Sequence, residues 1–129
     1  MKQVDVAVGI IKRESQTYIC KRPEDKHQGG LWEFPGGKIE VGESVAQALS
    51  RELHEEVAIR VHSTEEFMRI EHDYGDKHVC LHIHIVADFS GEPHGAEGQQ
   101  GAWVDIAALN DYAFPEANVA IINKLLEQS

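Results

Sequence analysis

Positive charge is scarce in this sequence: 12 lysines and arginines stand against 22 aspartates and glutamates, a formal charge of −10 at neutral pH. A nucleic-acid polymer is therefore not expected as a partner, because proteins that bind one carry basic patches. A small phosphate ligand remains compatible if divalent cations supply the missing charge. Cysteine is nearly absent as well, with only Cys20 and Cys80, each inside a strand-like apolar stretch. Buried free thiols are expected rather than a disulfide. No run approaches the ~18–20 apolar residues of a membrane span. The opening "MKQVDVAVGIIKR" alternates like a strand and lacks a signal-peptide layout. Repeats and low-complexity segments are missing too. The expectation is a single domain over residues 1–129, monomeric, cytoplasmic and away from membranes.

What is present reads as short strands with interspersed helices. Residues 3–13 and 17–22 alternate as two strands around a turn at "RESQ", and "PEDKHQGG" is a loop by composition. "LWEF" is a short strand that ends at "PGGK", where Pro and two glycines suggest a turn. Ser44 followed by Gln47 has the capping-box spacing and opens a helix running to about Val57. Residues 59–72 read as strand with a polar loop inside, and "HVCLHIHIVADF" as a clear strand. "GEPHGAEGQQG" is a long loop, "AWVDI" a strand, and "PEANVAIINKLLEQ" a closing helix with its stripe through Val119, Ile122 and Leu126. The class is α/β in the α+β sense, one mixed sheet covered by helices.

The helix after Ser44 carries Glu52, Glu55 and Glu56 close together. At about 100° per residue, Gln47, Ser50, Arg51 and His54 share the water face, while Glu52 and Glu56 fall with Val45, Ala46, Leu49, Leu53 and Val57. Glu55 lies at the edge. Carboxylates leaning toward the body of a protein are costly unless paired, and the chain has few cations to spare. A divalent metal answers better than lysine or arginine. Oxygen ligands with waters left over suit Mg²⁺, or Mn²⁺. The glycines of "PGGK" let backbone approach a ligand, and a carbonyl there could add a neutral donor.

These residues spell a longer pattern. Gly37, five residues, Glu43, seven residues, then "RELHEE" from Arg51 to Glu56 resemble the signature of the Nudix family. One position departs: Ala58 stands where the family usually has Gly, which puts the exit turn in question because Ala takes φ > 0 at a cost of about 1 kcal/mol. "AVGII", "KRPEDKH", "LWEFPGGKIEVGE", "GEP", "EGQ" and "FPEAN" extend the likeness over nearly the whole chain, toward the family's branch that acts on oxidised guanine nucleoside triphosphates. The resemblance implies a mixed sheet between helices and hydrolysis of 8-oxo-dGTP to the monophosphate and pyrophosphate. It implies Mg²⁺ on Glu52, Glu55 and Glu56, on the Gly36 carbonyl, and on Glu97. Arg51 would pair with Glu43 and fix the loop before the helix. Arg22, His27, the segment Glu33, Phe34, Pro35 and Gly36, and Asn118 match positions that contact the nucleotide.

Asn118 has two readings. It stands where it could cap the last helix, yet its amide offers both a donor and an acceptor. 8-Oxoguanine presents a carbonyl at position 6 and, unlike guanine, an N–H at position 7. One amide serves that pair and loses a hydrogen bond against undamaged guanine. The histidines His72, His78, His82 and His84 lack zinc-site spacing and are read as packed or half-exposed strand residues. A carboxylate, Glu52 or Glu97, would take the proton from the attacking water, with Glu52 the first choice. The alternatives are the same chemistry on another nucleotide, such as CTP, or a Nudix-like module that binds a nucleotide without turnover.

Overall fold

The computed structural model describes residues 2–22 and 29–128. The strands are β1 (Lys2–Arg13), β2 (Gln16–Lys21), β3 (Trp32–Glu33), β4 (Gly36–Lys38), β5 (Arg60–Asp73), β6 (Lys77–Ser90) and β7 (Gly101–Asp105). The helices are α1 (Val45–Val57) and α2 (Val119–Gln128), with 3₁₀ turns at Ile106–Asp111 and Glu116–Asn118.

Strand β1 organises the sheet. One edge pairs in parallel with β6 from Lys2↔Lys77 to Ile11↔Val86, and β5 continues that side antiparallel. The other edge is shared. β4 occupies it at Val6–Val8, and β2 takes over at Lys12 and Arg13. β2 then pairs with β3 and β7. The sheet forks where β4 gives way to β2, and there the Gly9 N–H donates to the Pro35 carbonyl at 2.8 Å.

Alternation along β1 sends apolar residues to both faces, as a sheet covered on both sides requires. Ile10, Ile19 and Ile83 pack with Ile121, Ile122 and Leu125 of α2. Ala7, Ile11, Tyr18 and Val86 pack with Ala48, Leu49, Leu53 and Val57 of α1. A mixed sheet between helices is thus the architecture. Both thiols are free and buried. Among the described residues no helix is long and apolar enough to cross a membrane.

Four local expectations change. Gly36–Lys38 is a strand rather than a turn, because the chain bends at Pro35 and then pairs with β1. A Cβ on Gly36 would overlap the Ala7 carbonyl oxygen, so only glycine allows that approach. The polar stretch in 59–72 is continuous strand whose irregularity appears as register shifts against β6. Ala46 is exposed rather than packed under α1. In α2, Ile122 is buried and Leu126 packs on the core as expected, but Ile121 and Leu125 also turn inward and Val119 is 49% exposed. The 3₁₀ turn before α2 starts the helix late and so sets its rotation.

Candidate active site

Helix α1 is fixed at both ends by its own sequence. The Ser44 side chain accepts from the Gln47 N–H at 3.1 Å, and the Gln47 side chain accepts from the Ser44 N–H at 2.9 Å. At the other end Ala58 adopts φ 62°, and its N–H reaches the His54 carbonyl at 3.2 Å. Between them the burial of Leu49, Leu53 and Val57 sets the rotation. That rotation leans Glu52 and Glu56 inward and leaves Glu55 exposed on the helix edge.

Arg51 ties the preceding loop to the helix. Its Nε and Nη2 donate to the two Glu43 oxygens at 2.8 and 2.9 Å, and Nη2 also reaches the Lys38 carbonyl at 3.1 Å. Pairing with Arg51 holds the Glu43 carboxyl far down, at about 2. The remaining nitrogen, Nη1, donates to Glu52 at 2.7 Å. The premise that no cation could be spared for the cluster therefore fails at Glu52. It holds at Glu56, for which no ion pair occurs among the described residues. Burial pushes the Glu56 carboxyl up to about 8, and the charges of Glu33, Glu52 and Glu97 add to the shift. Among the described residues the Gly36 backbone alone opposes it.

Two clefts meet at Arg22, Glu33 and Gly36. One, of about 410 Å³, is lined by these three with Lys21, Glu56, Glu97 and Gln99. The other, of about 280 Å³, adds Phe34 and Asn118, with Val6, Val8, Leu81 and Tyr74 along its walls. Arg22 Nη1 pairs with Glu33 at 3.0 Å on the shared ridge. Phe34 is buried and stacked on Phe114, ring centroids 5.2 Å apart. Pro35 is buried at the bend and lies outside the lining of both clefts. Among the described residues no hydrogen bond to another side chain or a helix end engages the Asn118 amide; its backbone N–H donates to the Pro115 carbonyl at 2.9 Å. The capping alternative thus finds no support. His27 lies outside the described residues.

Gln99 is a residue that pattern reading missed. Its Nε2 donates to the Glu56 carbonyl at 3.1 Å, and its Oε1 accepts from the Glu97 N–H at 3.1 Å. The 91–100 loop is thereby held against the end of α1, with the Ala96 N–H on the same Glu56 carbonyl. Tyr74, Val6 and Leu81 were also unanticipated, because only the folded register brings them beside Asn118.

A divalent cation suits this donor set. The candidates are carboxylates and a backbone carbonyl, all hard oxygen. A carboxyl raised to about 8 by burial first and by its acidic neighbours second marks a deficit of positive charge that such an ion would relieve.

The chain matches the model of the NUDIX domain over residues 6–124. It is 44% identical over 126 residues to the 8-oxo-dGTP diphosphatase of Escherichia coli K12, covering 97% of this chain and 98% of that one. It is 32% identical over 126 residues to the CTP pyrophosphohydrolase of the same organism, covering 98% and 93%. A solved MutT structure (from Aliivibrio salmonicida or Vibrio cholerae) superposes with a TM-score of 0.89 at 43% identity, covering 99% of this chain and all of the other. With the capped glutamate helix, the forked sheet and the two adjoining clefts in place, these likenesses establish that the chain belongs to the Nudix family.

Proposed function

We propose that this chain is a Mg²⁺-dependent nucleoside triphosphate pyrophosphohydrolase that converts 8-oxo-dGTP to 8-oxo-dGMP and pyrophosphate, keeping the oxidised base out of new DNA. The observation that carries the reading is the adjacency of the two clefts. An Asn118 amide that no described residue engages and the acidic cluster at Glu56 and Glu97 lie in adjoining spaces that share Arg22, Glu33 and Gly36. One nucleotide can lay its base in the first and its phosphates in the second. The 8-oxo-dGTP diphosphatase relative supports that choice of substrate.

The family likeness supports the following roles. Glu52, Glu55, Glu56, Glu97 and the Gly36 carbonyl would hold Mg²⁺, with Mn²⁺ as a substitute. The bound ions would supply positive charge to the triphosphate and to the attacking water. Glu52 accepts the water proton, its carboxylate steadied by Arg51. Oxygen of the water joins phosphorus, the phosphoanhydride bond breaks, and pyrophosphate carries away the released electron pair. Phe34 offers an apolar wall to the base, Asn118 reads its position-6 carbonyl and position-7 N–H, Arg22 and Glu33 shape the approach with His27, and Pro35 sets the bend that carries Glu33 and Phe34. The protein would work as a single-domain monomer in the cytoplasm, on a small nucleotide rather than a polymer.

The CTP pyrophosphohydrolase likeness favours a second reading, the same chemistry on a pyrimidine. Turnover with Mg²⁺ on 8-oxo-dGTP, dGTP, CTP and ADP-ribose, with phosphate products identified, separates them. A large 8-oxo-dGTP preference releasing pyrophosphate is expected. A CTP preference would keep the metal chemistry and discard the base reading, and binding without turnover would discard both. Unchanged turnover in Glu52→Gln would sink its role as base.

A further inference from the structure

Asp5, Cys80 and His82 form a second cluster that the acidic site does not use. Asp5 stands opposite Cys80 in the β1–β6 register, and His82 is the next residue on the same face of β6. Their donor atoms all lie within 4.8 Å of one another. His82 Nε2 is already 3.1 Å from Asp5 Oδ1. Cys80 is wholly buried, while the His82 and Asp5 side chains keep 24% and 42% of their surface open. The group therefore has a closed sulfur side and an open oxygen and nitrogen side.

We propose that Asp5, Cys80 and His82 bind a zinc ion, with water in the fourth position. One sulfur, one nitrogen and one oxygen donor suit a tetrahedral, borderline-soft ion, whereas Mg²⁺ suits the all-oxygen cluster on α1. Metal–ligand bonds of about 2.0–2.3 Å require the donor separations, none above 4.8 Å, to close by at most about an ångström. Binding breaks the Cys80 S–H bond. The proton goes to solvent, and the sulfur gives the freed electron pair to the ion. Arg69 sets the main opposing charge, with its Nε 3.0 Å from Cys80 Sγ. Two features answer it. A metal-bound sulfur keeps lone pairs for that N–H. The guanidinium also faces Glu71, which lies opposite Cys80 on β5, 3.9 Å from Arg69 Nη2 and 2.9 Å from His78.

The position gives the ion a purpose. Val6 follows Asp5, and Leu81 separates Cys80 from His82. Strand alternation turns both to the opposite face, where they line the cleft that contains Asn118. Zinc would clamp β1 to β6 directly behind the floor of the base cleft.

Cobalt titration of the reduced, full-length protein tests this, with Mg²⁺ in excess to fill the carboxylate cluster. A sulfur-to-cobalt charge-transfer band should appear, saturate at one ion per chain and survive Cys20→Ser. Cys80→Ser should abolish it. Asp5→Asn and His82→Gln, at partly exposed positions and with the thiol retained, should weaken cobalt binding at least tenfold. Zn²⁺ should raise the melting temperature of the unaltered protein and leave that of Asp5→Asn unmoved at the same concentration. A missing band in the unaltered protein, or Asp5→Asn and His82→Gln binding as tightly as it does, overturns the proposal.

Discussion

Gly37 and Glu52 compete for one space: a Cβ built on Gly37 would collide with the Glu52 carboxylate. The bare backbone of β4 is what lets this acid fold down beside Glu56. Arg51 Nη1 holds it there from the other side at 2.7 Å.

Gly37→Ala should therefore displace Glu52 without disturbing the core. Its backbone is extended strand, which alanine adopts freely. If Glu52 is the base, kcat should fall by roughly 10²–10⁴-fold, the usual worth of a positioned base. Circular dichroism should remain that of the parent. Parent-like kcat would show that Glu52 need not sit there.

Glu56 should give the metal-free protein an unusual pH profile. Its carboxyl rises from 4.5 to about 8 on folding. Over that window the folded chain keeps a proton that the unfolded chain has lost. The stability linked to this proton is complete below 4.5 and is gone by about 8. Glu43 acts in the opposite sense, since its carboxyl drops to about 2, and its contribution is lost as pH falls from 4.5 toward that value. Calorimetry without metal should show a melting temperature that declines from mildly acid pH toward pH 8. Glu56→Gln, or added Mg²⁺, should flatten the decline. An equal slope in Glu56→Gln would place its cause elsewhere.

Asn118→Ala should cost selectivity more than chemistry. Losing a two-point amide contact to a base is worth about 1–3 kcal/mol, or roughly 5- to 150-fold in the kcat/KM ratio of 8-oxo-dGTP to dGTP. Steady-state kinetics on both nucleotides measures it. A ratio that stays fixed would return Asn118 to a structural role.

Ala58→Gly should stabilise the protein, although glycine usually weakens a chain. Ala58 sits at φ 62°, ψ 30°, in the left-handed region. Relieving that strain should gain about 0.5–1 kcal/mol, read from urea melts. No gain would mean that the packing around the exit turn offsets the strain.

Legibility from sequence varied with how local the cause was. Helix α1 could be placed because its cap, period and exit residue lie within one short stretch. The inward lean of Glu52 and Glu56 followed from the same period. Strand β4 escaped because Gly36 and Gly37 have no strand preference, and their pairing comes from Ala7 and Val8 far away in sequence. The α2 stripe shifted because a 3₁₀ turn, invisible to a helical period, sets where the helix begins. Gln99 could have been suspected from its place two residues after Glu97, but its bond to the end of α1 depends on how the loop folds back. The histidines were set aside because they lack zinc-site spacing, although the β6 period places Cys80 and His82 on one face. What sequence spacing did not supply was Asp5 on the neighbouring strand.

The parallel pairing of β1 with β6 also has a consequence for synthesis on the ribosome. Asp5 and His82 touch although 77 positions separate them, so β1 waits for most of the chain before that edge is filled. The glutamates of α1 emerge during the wait, ahead of the strand that completes the sheet. Asn118 comes later still. A nascent chain thus carries the acids before it carries the part that would choose a nucleotide. Until then it exposes unpaired apolar strand, the kind of surface that chaperones protect. Premature termination after α1 should yield a product for proteolysis rather than an indiscriminate hydrolase.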